Sequence, residues 1–404
     1  MLLVDPVRLA RRQIEIDHER TARFPHLFAH KVARMSASPL ALLRGSAPLF
    51  YQLLERHCEL REGPGGEGWL VGDAHIENFG AYRAGTLTTA ESQQNQAKEP
   101  VVFDLNDFDD ALVGPWRLDV VRLLTSLILG GREAGADGAR TLEQCDALLD
   151  AYVAHAFHGR RVSAVPGPVA ALVEKVRTRT RKAFLDARTE VVRGERRFVR
   201  GPRYEGLPRK LRAKAERAFQ KYSRRLPRSE RAPGEALDVI DAAFRVAGTG
   251  SLGALRVAVL VRGKGGPDGA WIFDMKAEGV PSASRLIRPP KVAPADRVCE
   301  AIRTCLARPP RMIGSTRLRG SSMLVRRLAP QEDKLELGRI AMTDLVPLAR
   351  YLGTLLGAAH RRGAVRVSKT PWSAKDRGRL LDRALLLAGI HEAMYLAYCN
   401  LSRR

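Results

Sequence analysis

The sequence predicts an α+β protein with two lobes. Its 404 residues can bury a large core, and 45% of them are hydrophobic, which is ordinary for a globular protein. Residues 241–335 alternate short apolar runs with glycine-rich turns, which is typical of strands and hairpins. Apolar residues at helical spacing predominate elsewhere. We therefore expect a small β-rich lobe over 241–335, a helical large lobe over 1–240, and C-terminal helices over 336–404 that pack on the large lobe.

The formal net charge of +24 is unusual, and such a positive field attracts nucleotides, nucleic acids or acidic lipid surfaces. Residues 174–232 carry much of it, with 21 Lys or Arg against 7 Asp or Glu. Aromatic residues interleave with the charges, so this basic block is a candidate site for a nucleic acid or another polyanion. The alternative is a solvated helical surface with its aromatic residues in the core. We favour the alternative because no compact nucleic-acid motif accompanies the charge.

The cysteines and the apolar stretches favour a cytoplasmic protein. The five cysteines form no C-x-x-C pair, and their odd number argues against a disulfide framework. The N-terminus lacks the apolar core and the cleavage site of a signal peptide. The best candidate for a membrane span, residues 118–130, is short and carries Asp119 and Arg122. We therefore expect no membrane span.

Two acidic motifs form the candidate site. The first follows a short predicted strand and reads V-G-D-A-H-I-E-N-F-G from Val71, and the second reads N-D-F-D-D from Asn106. Asp73, Asn78 and Asp107 thus place two carboxylates and an amide on turns beside strands. Such oxygen ligands suit Mg²⁺, which takes its remaining ligands from phosphate and water. A further carboxylate can orient a hydroxyl group for in-line attack on a phosphate.

The first motif resembles the catalytic loop H-G-D-x-H-x-x-N of aminoglycoside-phosphotransferase-like kinases, with Val71 where these proteins have their first His. The second motif and its continuation are similar to the I-D-F-D-D-A-x-x-G-P-x-x-Y-D-L of the same kinases. This resemblance implies that Asp73 is the catalytic aspartate. It also implies that Asn78 and Asp107 are the metal ligands.

The resemblance implies structural roles for two further residues. Asp119 would brace the catalytic loop from the following helix. His75 has the chemistry of a metal ligand or a base, but the resemblance makes it a structural residue of the loop. The whole chain looks more closely like a bacterial family known as domain of unknown function 2252, on further segments that begin at Arg34, Gly248 and Met275. That family likeness implies a kinase-like fold and supplies no substrate.

The glycine loop G-T-G-S-L-G over 248–253 is the third candidate element. Predicted strands flank it on both sides, whereas a Rossmann site needs a strand before and a helix after. It therefore resembles the glycine loop of kinases. Gly248, Gly250, Ser251 and Gly253 would then cover the phosphates of ATP with their backbone N–H groups. Taken alone, the loop is better explained as an ordinary hairpin turn.

Lys276 ends an apolar strand one hairpin after the glycine loop. A kinase places its phosphate-binding lysine on that strand, and an acidic residue on the next helix steadies the lysine. We take Glu300 as the first candidate partner, with Asp296 and Glu278 as alternatives. A lysine at a strand edge otherwise only extends its charge into solvent. With the glycine loop so near, we favour the nucleotide role.

The motifs stand in an unusual order. Ordinary kinases have the glycine loop and the lysine first, whereas here the two acidic motifs precede them. A predicted helix over 352–360 resembles the helix that leads into the catalytic loop of small-molecule kinases, yet it lies near the C-terminus. One circular permutation explains these displacements. Alternatively, the glycine loop is a coincidence and another part of the chain binds the nucleotide.

The sequence thus predicts an ATP- and Mg²⁺-dependent phosphotransferase that acts on a hydroxyl group of an unidentified small molecule or protein. The same site could transfer AMP instead. An interpretation from another class is a nucleotide-binding pseudokinase or a polyanion-binding protein. The presence of Asp73, Asn78, Asp107 and Lys276 together disfavours a dead site. The positive charge argues against cationic aminoglycosides and for an anionic or neutral acceptor.

Overall fold

The computed structural model describes residues 4–85, 100–160, 164–230, 234–248, 250, 252–368 and 370–403. Helix and sheet are both extensive, so the α+β prediction is confirmed. The α-helices of the described residues are α1 (Pro6–Thr21), α2 (Leu27–Met35), α3 (Pro39–Gly45), α4 (Ala47–Arg56), α5 (Cys58–Arg61), α6 (Arg117–Glu133), α7 (Gly138–Ala156), α8 (Gly167–Arg177), α9 (Arg181–Asp186), α10 (Arg209–Arg225), α11 (Pro294–Cys305), α12 (Leu345–Arg362) and α13 (Ala374–Ser402).

The strands of the described residues are β1 (Glu67–Leu70), β2 (Phe79–Arg83), β3 (Val101–Leu105), β4 (Leu112–Pro115), β5 (Thr189–Val192), β6 (Glu195–Phe198), β7 (Tyr204–Glu205), β8 (Val239–Arg245), β9 (Arg256–Val261), β10 (Trp271–Glu278), β11 (Gly314–Leu318), β12 (Ser321–Leu328), β13 (Asp333–Lys334) and β14 (Ala364–Arg366). The largest sheet is antiparallel, with the strand order β11-β12-β10-β9-β8-β7. Two three-stranded sheets, β14-β1-β4 and β13-β2-β3, and the hairpin β5-β6 complete the set.

The large sheet has apolar side chains on both faces because its side chains alternate. Successive residues of a strand point to opposite faces. On one face, Val259 and Phe273 pack against Phe219 of α10. On the other face, Ala258 and Ile272 pack in a cluster with side chains of α9 and β6. This second cluster covers only part of its face, and the polar residues that complete the face belong to the candidate site.

The basic block joins the β-rich part of the molecule. Its strand β7 forms the edge of the large sheet, and its helix α10 covers one face, so the boundary predicted at residue 241 cuts through this part. Four of the block's aromatic residues, Phe198, Tyr204, Phe219 and Tyr222, are buried, and Phe184 is half-buried. Arg196 is 1% exposed and is ion-paired with acidic side chains. Buried rings cannot stack on bases, although binding of a polyanion to the block stays a prediction.

The helical part has one continuous core. The helix α6 is buried on nearly all sides, and α7 lies close against α12 because Gly353 has no side chain to meet the carbonyl oxygen of Leu148. Strand β1 leads into the first acidic loop (71–78), and β3 leads into the second acidic loop (106–111). The core therefore fixes both acidic motifs.

The last helix corrects one expectation. Within the described residues, α13 is long and apolar enough to cross a membrane by length and composition, and 33% of the relevant window is buried. It packs against α1 and α6. The expectation that no stretch reaches this length and apolarity is therefore wrong, although one such helix does not establish a membrane span.

Candidate active site

The first acidic loop is braced by the first turn of α6. Asp119 is fully buried, and its carboxylate accepts hydrogen bonds from the backbone N–H groups of Val71 at 2.6 Å and Gly72 at 3.0 Å. The Nε2 atom of His360 lies 3.1 Å from the same carboxylate. Gly72 has a φ of +81°, and a Cβ there would clash with the carbonyl oxygen of Asp110. The two acidic loops are therefore in direct contact.

Asp73 pairs with Arg122, which extends from the next turn of α6. The Nε atom of Arg122 donates to Oδ1 of Asp73 at 2.6 Å, and its Nη2 donates to the carbonyl oxygen of Leu43 at 2.9 Å. The Asp73 side chain is 20% exposed, whereas that of Arg122 is fully buried. Burial raises the pKa of Asp73 to about 7, although Arg122 opposes the shift. Asp73 can therefore exchange a proton near neutral pH, as a general base requires.

Asn78 and His75 lie on either side of Asp73. The Nδ2 atom of Asn78 donates to the carbonyl oxygen of Asp73 at 2.6 Å. The Nε2 atom of His75 lies 4.0 Å from Oδ2 of Asp73. Burial holds the pKa of His75 well below its usual value, so the ring is neutral. His75 is thus placed to support the loop, and the amide oxygen of Asn78 is the atom with metal-binding chemistry.

The strands β2 and β3 bring the two acidic loops side by side. Phe79 pairs with Leu105 in their ladder, and the backbone N–H of Asn106 donates to the carbonyl oxygen of Asn78 at 2.9 Å. Asn78 and Asp107 therefore lie at the same end of two adjacent strands. Two oxygen-bearing side chains at one strand end fit a site for a hard cation.

Two carboxyl groups of the second acidic loop, those of Asp107 and Asp109, have pKa values shifted in opposite directions. Burial would raise the pKa of Asp107, but the ammonium groups of Lys276 and Lys334 lower it below its usual value. Burial, with the charge of Asp107, raises the pKa of Asp109 to about 6. Among the described residues, no group of three or more His, Cys, Asp or Glu could hold a metal ion. Asn78 and Asp107 fit a cation that takes its other ligands from phosphate and water, as Mg²⁺ does.

Lys276 reaches this loop from the large sheet. Alternation along β10 places Asp274, Lys276 and Glu278 on the face that the apolar cluster leaves open. Lys276 forms ion pairs with Asp109 and with Glu278, whose Oε1 lies 3.4 Å from Nζ. Burial would lower the pKa of Lys276, but these acids and Asp107 raise it, so the lysine stays charged.

The acidic partner of Lys276 is therefore not Glu300, the first candidate from the sequence. The helix α11 buries its opposite side, so Glu300 is exposed. The residue of α11 that reaches the site is the buried Arg297. Its Nη2 donates to the carbonyl oxygens of Asp109 at 2.9 Å and Gly279 at 3.1 Å. A cation on this helix thus ties the second acidic loop to the large sheet.

The glycine loop lies against the first helices of the chain. Gly253 has a φ of +103°, and a Cβ there would clash with the carbonyl oxygen of Arg20. The carbonyl oxygen of Gly250 accepts hydrogen bonds from Nη1 of Arg20 at 3.2 Å and from Nζ of Lys31 at 3.1 Å. The glycines therefore permit a close approach of α1 to the loop.

The start of the glycine loop is held in a similar way. Gly248 has a φ of +89°, and its carbonyl oxygen accepts a hydrogen bond from Arg34. Ser251 lies outside the described residues, so its phosphate-binding role stays a prediction. Of the predicted loop residues, the structure brings Gly248, Gly250 and Gly253 to the cleft.

Two cavities meet between these elements. The first has a volume of about 370 Å³ and an apolar wall that includes Leu105, Val298, Ile302, Ile313 and Leu324. The second has a volume of about 510 Å³, and its lining includes Asp73, Asn78, Arg20, Arg34 and Arg44. The residues that line both are Asp107, Asp109, Gly248, Lys276 and Lys334. All predicted site residues of the described chain except Glu300 thus line the cavities or, like Asp119, support the loops that do.

Sequence reasoning missed several of these groups. Arg122 carried a usable signal, because it is the lone cation in an apolar helical run and follows Asp119 by three residues, on the same helix face. The sequence signal for Arg297 was weaker: it is a basic residue among the positions that α11 buries. Lys334 carried no signal, and Asp109 belongs to the second acidic motif but carried no signal of its pairing with Lys276, because both roles depend on contacts between distant segments.

One comparison identifies relatives of the chain. The model of the family described as "Uncharacterized protein conserved in bacteria (DUF2252)" matches residues 23–399. No curated protein and no solved structure matches the chain.

Proposed function

The chain belongs to this bacterial family, and we propose that it is an ATP- and Mg²⁺-dependent phosphotransferase with a circularly permuted, kinase-like fold. The observation that carries the proposal is that Asp73, Asp107 and Lys276 line one pair of joined cavities beside the glycine loop. Lys276 meets the second acidic loop although 167 residues separate it from Asp109. A base, a metal-binding carboxylate and a lysine around one cleft are the groups that phosphoryl transfer needs.

The β-rich part supports the kinase-like interpretation by the order of its elements. The glycine loop joins β8 to β9, Lys276 lies on the next strand, β10, and the helix α11 follows. Protein kinases have the same succession of glycine loop, lysine on the third strand, and helix. The departure is the partner of Lys276, which comes from the second acidic loop and from β10 itself instead of the helix.

The C-terminal helices support the permutation. The strand β14, just after α12, pairs with β1, and the carbonyl oxygen of Gly363 accepts a hydrogen bond from the N–H of Trp69 at 2.8 Å. His360 of α12 contacts Asp119, which braces the first acidic loop. The end of α12 therefore lies beside the strand that enters the catalytic-loop motif. Joining these two points in the chain would restore the order found in ordinary kinases.

Each group has a role in the proposed reaction. The apolar wall of the first cavity, together with its volume, suits the base of the nucleotide. Lys276 would pair with the phosphates, and the glycine loop would cover them. Asn78 and Asp107 would hold Mg²⁺, which when bound would neutralise the charge on the β- and γ-phosphates. Asp73 would accept the proton of the acceptor hydroxyl, with Arg122 fixing its orientation.

The direct test is turnover of ATP in the presence of Mg²⁺, with water as the acceptor. We expect slow release of ADP and phosphate, which Lys276→Met should reduce strongly because it removes the ammonium group that pairs with the second acidic loop between the two cavities. Lys264→Met is the matched control, since Lys264 is exposed in the same β-rich part. Equal turnover by both variants would contradict the proposal. Mass spectrometry of the products separates phosphoryl transfer from AMP transfer, which would release pyrophosphate.

A further inference from the structure

The second cavity has a basic wall built by the first three helices. Arg20 belongs to α1, Arg34 to α2 and Arg44 to α3, and all three line the cavity that holds Asp73. None of the three lines the apolar first cavity, which suits the base of the nucleotide. The wall therefore belongs to the part of the cleft where an acceptor would meet Asp73.

The three arginines of this wall differ in whether a carboxylate neutralises their charge. Arg44 pairs with Glu77 at 2.7 Å. Arg20 and Arg34 donate to carbonyl oxygens of the glycine loop, and within the described part of the chain no carboxylate lies within 4.0 Å of either guanidinium group. A carbonyl oxygen accepts a hydrogen bond without neutralising the charge. Each guanidinium keeps its full charge and further N–H donors.

The other cations near the wall are already paired or lie elsewhere in the cleft. Lys31, beside the glycine loop, is buried, and its Nζ lies 3.6 Å from Oδ1 of Asp17. Burial lowers the pKa of Lys31 to about 8. Lys276 pairs with acids of the site. Lys334 lines both cavities, and its charge acts on Asp107. Arg20 and Arg34 are thus the cations of the second cavity alone whose charge an incoming anion would compensate.

We propose that the acceptor is an anion: a small hydroxyl compound that carries a phosphate or carboxylate group, bound with its hydroxyl at Asp73 and its anionic group at Arg20 and Arg34. The inference rests on the proposed phosphotransferase function. Guanidinium groups match the geometry of both kinds of anion. A cavity of about 510 Å³ lies within the size range of small-molecule sites.

The reaction balances with ATP as the only co-reactant. The hydroxyl oxygen of the acceptor forms a bond to the γ-phosphorus, and the bond from that phosphorus to the β–γ bridging oxygen breaks. The hydroxyl proton passes to the carboxylate of Asp73, and the bridging oxygen leaves on ADP with its electron pair. The product is a phosphate ester that still carries the anionic group of the acceptor.

The test uses the full chain saturated with Mg²⁺ and AMP-PNP, so that the nucleotide phosphates already occupy their own subsite. Calorimetry then compares three probes of similar size: glycerol 3-phosphate, glycerate and uncharged glycerol. We expect one or both anions to bind at least tenfold more tightly than glycerol. Their ranking distinguishes a phosphate-bearing from a carboxylate-bearing acceptor.

Variants show which residues are responsible. Arg20→Gln and Arg34→Gln should each weaken binding of the preferred anion about tenfold, because each removes a charge-assisted contact. Arg8→Gln is the matched control, because Arg8 is exposed on α1 and does not line the cavity. Conservative Arg→Lys variants should restore part of the affinity.

The outcomes separate this inference from the function on which it rests. If AMP-PNP binds but neither anion binds more tightly than glycerol, the anionic acceptor is wrong and the phosphotransferase proposal stands. Unchanged anion affinity in Arg20→Gln and Arg34→Gln would equally overturn the inference, because these arginines would then only hold the glycine loop. Failure of AMP-PNP itself to bind would contradict the proposed function.

Discussion

The two halves of the site are supported in different ways. In the helical half, Asp119 and Arg122 of the single helix α6 hold the first acidic loop, across 47 to 49 residues of chain. In the β-rich half, the glycine loop is held by Arg34, which lies 214 residues from its hydrogen-bond partner. Lys276 meets Asp109 across 167 residues. The supports that α6 gives to the first half therefore come from less than 50 residues away, whereas those of the second half come from more than 160 residues away.

Because the two halves are supported differently, we expect changes in each half to affect a different property of the protein. The helical half fixes the position and the charge of Asp73, so changes there should act on the chemical step and its pH dependence. In the proposed function the β-rich half brings Lys276 to the phosphates, so changes there should act on nucleotide binding. Variants of the helical half that change only nucleotide binding, or variants of the β-rich half that change only the chemical step, would contradict this distinction.

The largest expected effect is that of Asp73→Asn, which should lower kcat by about two to four orders of magnitude by removing the base. Because the pKa of Asp73 is raised to about 7, a growing fraction is protonated below pH 7 and cannot accept a proton. The wild-type rate should therefore rise with pH up to about 7 and then level off. Asp146→Asn, at an exposed position of α7, is the control. A flat profile between pH 5 and 8 would contradict the assignment.

The next effect concerns the support of that carboxylate. Arg122→Met should lower the free energy of unfolding by about 3 kcal/mol, because it leaves the carboxylate of Asp73 without its buried partner. Loss of the cation should also raise the pKa of Asp73, so the pH–rate profile should move to higher pH. Arg132→Met on the same helix removes an exposed ion pair with Glu392 and should cost less than about 1 kcal/mol. Equal stability of the two variants in urea titrations would contradict this account.

A smaller effect tests the junction between the halves. Arg297→Met should lower the free energy of unfolding by about 2 kcal/mol, because it removes buried hydrogen bonds to backbone carbonyl groups. It should also weaken binding of AMP-PNP, since the second acidic loop loses its tie to the large sheet. Glu300→Gln on the same helix should leave both quantities nearly unchanged. A strong effect of Glu300→Gln on nucleotide affinity would restore Glu300 as a functional partner.

The sequence predicted the helical half more completely than the β-rich half for a physical reason. Asp73, Asn78 and Asp119 act through contacts within one loop and the next helix, so their spacing in the chain reflects their spacing in space. The first candidate partner of Lys276 was wrong because the periodicity of apolar residues predicts strands and helices. It does not predict which distant loop will contact the lysine. The edge strand β7 and the helix α10 were missed as parts of the β-rich half because their charge masked the few apolar residues that they bury.

The central claim is that both halves act on one Mg²⁺-bound nucleotide, and calorimetry of AMP-PNP with and without Mg²⁺ tests it most directly. Lys276→Met should weaken binding by a similar factor in both conditions, because in the proposed site the lysine would contact the phosphates themselves. Asp107→Asn should weaken binding chiefly when Mg²⁺ is present, because it removes a carboxylate ligand of the cation. Lys264→Met should match the wild type in both conditions. Wild-type affinity for AMP-PNP in both the Lys276→Met and the Asp107→Asn variants would contradict the claim.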